Sequence, residues 1–199
     1  MVYPEMLAAK EIVTAIKRPW VRYWTELCGG AIILLGVKLR DNSVLVGKYL
    51  KELGSDLKKY HIVAIKRNNT TIIQNGNHQI LPDAIVFFCT TNEHVYELPE
   101  LTGKEDFEVK NVMIMGGSRI AIRTSQYLPD KMNIKLLESE IDKCHLLLDK
   151  LPQNVTVYND DGRNTDFLIQ EGIKDMDAFI AVTGNSEANI LACMAAKQF

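Results

Sequence analysis

The sequence predicts an α/β protein in which a parallel sheet is preceded by a small α+β domain. From residue 109 onward, apolar strand-like runs alternate with helical patterns, and the strand-like runs are VKNVMIM, NIKLLE, VTVYN and DAFIAVT. Such alternation implies βαβ units and therefore a parallel sheet. Between residues 31 and 90, short apolar runs follow one another with only one helical stretch among them, which is typical of an α+β unit.

The first segment predicts an amphipathic helix. Its apolar residues recur at helical spacing from Pro4 to Ile16, Pro4 suits a first helical turn, and Pro19 ends the pattern. We expect the apolar face of this helix to require a cover from elsewhere. Residues 19–24, PWVRYW, predict a connection anchored by its aromatic side chains.

The α+β region predicts strands at residues 31–39, 61–67, 70–74 and 84–90, with a helical stretch at 47–57. Asn68 and Asn69 predict a turn between the second and third of these strands. The polar run at residues 98–108 predicts the domain boundary.

Composition excludes several classes of function. With 23 basic and 25 acidic residues spread along 199 positions, the net charge of -2 offers no surface for nucleic acid. No signal peptide or membrane-spanning run is present, which predicts a cytoplasmic protein. The four cysteines are far apart and lie among apolar neighbours, so we expect reduced core thiols and no metal site.

A glycine-containing turn follows the first strand of the βαβ region. It matches the dinucleotide fingerprint GxGxxG/A of Rossmann-like sheets, with serine at the middle glycine position and Ala121 at the last. The helix that begins here would direct free N–H groups and a positive dipole at a pyrophosphate. The predicted contacts from this turn are Gly116, Gly117, Ser118, Arg119 and Ile120.

Six residues at the ends of the three later strands complete the predicted site. Glu138 ends the second strand 22 positions after Gly116, where a carboxylate accepts hydrogen bonds from ribose hydroxyls; a solvated strand end is the alternative interpretation. A carboxylate there repels a 2'-phosphate, which favours NAD(H) or an adenine nucleotide over NADP(H). The ends of the third and fourth strands contribute Asp161, Gly162, Thr183, Gly184 and Asn185.

No catalytic set accompanies this site. The P-loop pattern is absent, and the spacing from Tyr127 to Lys131 contains Pro129 and falls outside a helix. The sequence therefore favours binding over catalysis.

The residues that carry the fingerprint belong to a wider resemblance. The segment AFIAVTGNSEANILACMAAK, at 178–197, resembles the nucleotide-binding RCK (KTN) domain of the TrkA family of potassium uptake regulators. Residues 30–104 are similar to the TrkA-C (RCK-C) domain, with GKYLKEL, HIVAIKR and LPDAIVFF in order. The resemblance implies three parts: the terminal helix of a preceding RCK domain at 1–20, a TrkA-C domain at 25–105, and the N-terminal part of a second RCK domain at 109–199.

What the resemblance implies is a cytoplasmic gating subunit that acts at the inner face of the cell membrane. Its ligand would be NAD(H), with ATP or ADP possible, and its partner a TrkH/TrkG-like potassium transporter subunit. An RCK domain continues past the fourth strand's helix, so we expect a fragment of a longer protein. The strand DAFIAVT would then be an exposed sheet edge, which predicts a homodimer or higher assembly.

Two rival interpretations remain open. One is a small nicotinamide-dependent oxidoreductase. The other treats residues 30–104 as a stand-alone ligand-sensing module, with a vestigial Rossmann half because Ser118 replaces a glycine.

Overall fold

The computed structural model describes residues 3–53, 59–68, 70–73 and 75–199, which form two compact units. The parallel unit consists of the described residues up to Lys17 together with Glu108–Phe199, and the antiparallel unit is Arg18–Phe107. The helices are α1 (Pro4–Lys17), α2 (Leu98–Thr102), α3 (Arg119–Tyr127), α4 (Ile141–Leu148), α5 (Thr165–Gln170) and α6 (Ser186–Ala196). The strands are β1 (Tyr23–Leu27), β2 (Ile32–Lys38), β3 (Tyr60–Arg67), β4 (Thr70–Ile73), β5 (Ile85–Thr90), β6 (Asn111–Met115), β7 (Asn133–Glu138), β8 (Val155–Asn159) and β9 (Ala178–Ala181).

The antiparallel unit is one sheet with strand order β1-β2-β5-β3-β4. Alternate residues point to its core, so that Leu35 of β2, Phe88 of β5 and Ile62 of β3 are almost completely buried. The helix α2 lies against this core through Leu98. The predicted α+β unit is therefore confirmed.

Three local predictions in this unit differ from the structure. The last two residues of the predicted connection at 19–24 already belong to the strand β1, which begins at Tyr23. The polar run at 98–108 is not all connection, because its first half is the helix α2 with Leu98 and Thr102 buried; the division between the units, after Phe107, does fall within the predicted run. The predicted helical stretch at 47–57 contains a 3₁₀ turn at Leu50–Leu53, and its residues 54–57 lie outside the described residues.

The parallel unit confirms the predicted alternation of strands and helices. Its sheet has the order β8-β7-β6-β9, and every pair of neighbouring strands is parallel. The chain moves outward from β6 through β7 to β8 and then returns to the other side of β6. This reversal creates a topological switch point between β6 and β9, where ligands bind in open α/β sheets.

The helix α1 packs on α3 within this unit. Val13 and Ile16 of α1 belong to the same buried cluster as Ala121 and Leu128, and Ala9 is fully buried. The expectation that another chain must cover this helix is therefore wrong, because α3 of the same chain covers it.

At the other end of the chain, β9 pairs only with β6 among the described residues. The neighbouring helix α6 exposes three large apolar side chains, those of Ile190, Leu191 and Met194, each more than 60% exposed. The cysteine expectation also needs correction here: Cys193 on α6 and Cys28 are exposed, and only Cys144 is buried. No helix among the described residues is long and apolar enough to cross a membrane.

Candidate functional site

A crevice of about 570 Å³ opens where the strands of the parallel unit end at their carboxyl side. Ten of the eleven predicted site residues line it: Gly116, Gly117, Ser118, Arg119, Glu138, Asp161, Gly162, Thr183, Gly184 and Asn185. Ile120, in the first turn of α3, does not line it. The tertiary structure thus brings together residues that are up to 69 positions apart in the sequence.

Gly116 holds the turn after β6 against the loop after β9. Its φ of +101° lies in the region that only glycine adopts without strain. A Cβ atom at this position would lie 3.0 Å from both the backbone nitrogen and the Cα of Thr183. The two loops meet at the switch point because position 116 has no side chain.

Gly117 is fixed by Glu138. The Gly117 N–H donates to Oε2 of Glu138 at 2.9 Å, while Oε1 accepts from the Glu140 N–H at 3.0 Å and from the Ser139 hydroxyl at 3.3 Å. A side chain at 117 would clash with the Glu138 carboxylate and with Leu147. The acid at the end of β7 therefore anchors the turn that follows β6.

The Glu138 carboxylate is buried yet remains ionised. Burial acts to raise its pKa, but the amides of Glu140 and Gly117, the charge of Lys143 and the Ser139 hydroxyl outweigh that effect, so its pKa is lowered from the ordinary value. A carboxylate that is negatively charged at this position can accept hydrogen bonds from hydroxyl groups, and it repels phosphate.

Ser118 takes the place of a glycine without strain. Its φ of -72° is open to any residue, and its hydroxyl accepts a hydrogen bond from the Ala121 N–H at 3.3 Å. The side chain is thus the N-cap of α3. The N–H groups of Ser118, Arg119 and Ile120 donate to no acceptor among the described residues. These free donors at a helix start fit a phosphate group.

The loop after β8 forms another wall of the crevice. Arg163 donates from Nε and Nη2 to the two oxygens of Asp161, at distances of 2.5 to 3.0 Å. This ion pair lowers the pKa of Asp161 from its ordinary value. Gly162 packs so closely over Met115 that a Cβ would lie 2.3 Å from its Cγ. A side chain at 162 would therefore force the Met115 side chain at the end of β6 to move.

The loop after β9 is held from within by Asn189. Its side chain accepts from the Thr183 N–H and hydroxyl and donates back to the Thr183 carbonyl. Asn185 caps α6 by accepting from the Ala188 N–H at 3.0 Å. A Cβ built on Gly184 meets no atom within 4 Å, so the surface beside this glycine is open.

Sequence reasoning missed two cations in the crevice, Lys143 and Arg163. Lys143 forms an ion pair with Glu140, the residue that immediately precedes its helix α4, and Arg163 is the partner of Asp161 described above. The signal was present, since Lys143 follows Glu138 by five positions and Arg163 follows Asp161 by two. The fingerprint, however, specifies no position for these cations. Among the described residues no group of His, Cys, Asp and Glu could hold a metal ion.

The sheet order, the glycine turn and the acid at the end of β7 define this unit as a Rossmann-type α/β half. Residues 112–199 match the family model of the TrkA-N domain, and residues 34–103 match that of the TrkA-C domain. The resemblance to the TrkA family is therefore confirmed.

Curated relatives match along the full length of the chain. The Trk system potassium uptake protein TrkA of Halomonas elongata is 28% identical over 200 residues, covering all of this chain and 44% of that protein. The protein of the same name from Haemophilus influenzae is 28% identical over 201 residues, covering all of this chain and 43% of its own length. The chain spans less than half the length of these relatives.

Solved structures share the fold. The GsuK RCK domain superposes with a TM-score of 0.62 at 16% identity, covering all of this chain and 42% of that one. The GsuK channel bound to NAD gives a TM-score of 0.61 at 16% identity, covering 99% of this chain and 35% of that one. The predicted fold class, a Rossmann-like RCK sheet together with a small α+β unit, is confirmed.

Proposed function

We propose that the crevice binds NAD(H) or an adenine nucleotide such as ATP or ADP, and that the chain is a non-catalytic gating part of a potassium uptake system. The observation that carries this proposal is the hydrogen bond between Glu138, at the end of β7, and Gly117, in the turn after β6. This hydrogen bond holds the Glu138 carboxylate, which would bind the ribose, next to the free backbone N–H groups that would bind the pyrophosphate.

The proposed pose follows from the donors and acceptors in the crevice. The pyrophosphate accepts from the free N–H groups of Ser118 and Arg119, where the dipole of α3 favours a negative charge. Glu138 Oε2 accepts one hydrogen bond from Gly117, which leaves it a further lone pair for a ribose hydroxyl. The adenosine end lies toward Asp161 and Gly162. The open surface at Gly184 allows close approach of the ligand.

The relatives supply the link to potassium. They are named as Trk potassium uptake proteins, and a channel with the same fold is described as bound to NAD. In the proposed role, bound nucleotide shifts the equilibrium between two arrangements of a ring of such domains. This shift requires that the nucleotide bind one arrangement more tightly than the other. The ring acts from the cytoplasm on a TrkH/TrkG-like membrane subunit.

Self-association is part of this proposal. The exposed apolar side chains of α6 lie beside the edge strand β9, a combination that favours pairing with a second copy of the chain. We expect a homodimer or higher assembly. A clean monomer in light scattering at micromolar concentration would count against it.

The domain assignment is proposed on the same basis. Residues 25–105 correspond to a TrkA-C domain, residues 109–199 to the first part of an RCK domain, and residues 1–20 to the terminal helix of a preceding RCK domain. The packing of α1 on α3 is compatible with this assignment, because such a helix would then link two successive RCK domains through buried contacts.

Calorimetric titration with NAD, NADH, ATP and ADP tests the ligand. We expect at least one to bind, and binding to weaken in Glu138→Gln and in Gly184→Ala. The second variant matters because a methyl group at 184 meets no protein atom, so the protein stays folded while the ligand's path narrows. Equal affinity of all three proteins for every ligand would refute the site.

NADPH serves as the specificity probe. NADPH should bind more weakly than NADH, because the ionised Glu138 repels the 2'-phosphate. In the Glu138→Gln variant, this difference in affinity should be smaller. Turnover of NADH with any substrate would favour the oxidoreductase alternative instead.

A further inference from the structure

Arg119 lies between two depressions of the parallel unit. It is the first residue of α3 and lines the nucleotide crevice, but it also lines a second cleft of about 760 Å³ between α1 and α3. Glu5, in the first turn of α1, lines the second cleft only. One cation is therefore shared between the proposed phosphate site and the surface where α1 packs.

Arg119 forms an ion pair with Glu5. The distance from Nη1 to Oε1 is 3.5 Å, and the Arg119 side chain is 85% exposed. An exposed pair at this distance is weak, because water screens it and because the long side chain loses freedom when it is held. Arg119 is thus held loosely toward α1 and is free to leave.

A phosphate at the start of α3 would be a stronger partner for this cation. Guanidinium groups bind phosphate through two parallel hydrogen bonds, and such pairs are shorter and stronger than a long surface pair. The carboxylate of Glu5 and a bound phosphate would also repel each other. The two anions therefore compete for one cation.

We propose that Glu5 competes with nucleotide phosphates for Arg119, so that nucleotide binding releases α1 from α3 at its first turn. This inference rests on the proposed nucleotide site. Coupling between two sites is reciprocal. Bound nucleotide weakens the ion pair between Glu5 and Arg119 by a certain factor, and loss of that ion pair raises the affinity for nucleotide by the same factor. The helix α1 then senses the occupancy of the crevice.

Affinities of ADP and NADH for the full chain and three single variants test the competition. Glu5→Gln should bind about two- to fivefold more tightly than the unmodified chain, as expected for removal of an exposed ion pair. Glu11→Gln is the matched control: Glu11 is an exposed acid about 9 Å further along the same helix, without an ion pair among the described residues. It should leave the affinity unchanged, and Arg119→Gln should lower it.

The double variant separates competition from a general charge effect. In the Arg119→Gln background, Glu5→Gln should produce no further tightening, whereas a purely long-range effect of the Glu5 charge would persist. Hydrogen exchange offers a second readout, because the Met6 and Leu7 amides donate to the Tyr3 carbonyl in the first turn of α1. ADP should speed their exchange in the unmodified chain and not in Glu5→Gln.

The outcomes distinguish this inference from the proposed function. If ADP and NADH bind and depend on Glu138, but Glu5→Gln equals Glu11→Gln, the competition is refuted and the nucleotide site stands. If no nucleotide binds, both proposals fall.

Discussion

The carboxylate of Glu138 and the backbone N–H of Gly117 are joined by a hydrogen bond of 2.9 Å that links the ends of two adjacent strands. The acid assigned to the ribose therefore also shapes the turn assigned to the pyrophosphate. Because the carboxylate already holds this turn, the two halves of the site are positioned relative to each other before a ligand arrives.

Replacing Glu138 with glutamine should destabilise the parallel unit by about 1–3 kcal/mol at pH 7. The two carboxylate oxygens each face an N–H donor, those of Gly117 and Glu140, and a glutamine amide turns one acceptor into a donor. Native-state hydrogen exchange of β6 and β7 measures the loss. Trp20 and Trp24 both lie in the antiparallel unit. As an internal control, the urea-unfolding transition followed by tryptophan fluorescence should be the same in the variant and in the unmodified protein.

The difference in stability between the unmodified protein and the Glu138→Gln variant should depend on pH. The folded-state pKa of Glu138 is depressed, so its stabilising contribution is complete above the ordinary glutamate pKa of about 4.3 and is lost as pH falls through the lower folded-state value. Exchange protection of the unmodified protein should therefore approach that of Glu138→Gln below about pH 4. A constant difference from pH 7 to pH 3 would show that ionisation of Glu138 contributes nothing.

Gly116→Ala should cost at least about 1–3 kcal/mol of stability. The residue would have to adopt a φ of +101°, and its methyl group would meet the Thr183 backbone at 3.0 Å. Gly184→Ala is the matched control within the same crevice, since its methyl group meets open space. Thermal unfolding followed by circular dichroism compares them, and equal melting temperatures would contradict the close approach of the two loops.

Ile16→Ala should destabilise the parallel unit by about 2–4 kcal/mol, because this side chain is buried in the cluster shared by α1 and α3. Leu7→Ala on the same helix removes a side chain that is 49% exposed and should change stability by less than about 0.5 kcal/mol. The protection of the α3 amides from hydrogen exchange measures the effect of each variant. If Ile16→Ala leaves the protection of α3 unchanged, α1 does not stabilise this unit.

Thiol labelling should separate the four cysteines. Exposed Cys28 and Cys193 should react first with a disulfide reagent such as Ellman's reagent, and Cys144 last. Burial raises the pKa of the Cys144 thiol, so less of it is the reactive thiolate. Mass spectrometry of the labelled protein gives the order, and early labelling of Cys144 would contradict its burial beside Glu138.

Much of the parallel unit could be predicted because its signals are local. Strands buried on both faces, such as NVMIM and NIKLLE, are apolar runs of the right length, and the turn between them carries the glycines that the fold requires. The strand β1 escaped prediction because four of its five residues are exposed, which leaves no alternation to detect. Its place in the sheet is set by pairing with β2, a contact that the sequence pattern does not reveal.

The sequence by itself determined the order of the strands and helices in the parallel unit, the glycine turn and the acid that follows it, because each depends on neighbours within a few residues. Only the tertiary structure decided that Ser118 caps α3, that Glu138 holds Gly117, and that α1 covers α3 with Glu5 beside Arg119. These relationships join groups through distances and angles set by packing, so residue order alone does not specify them.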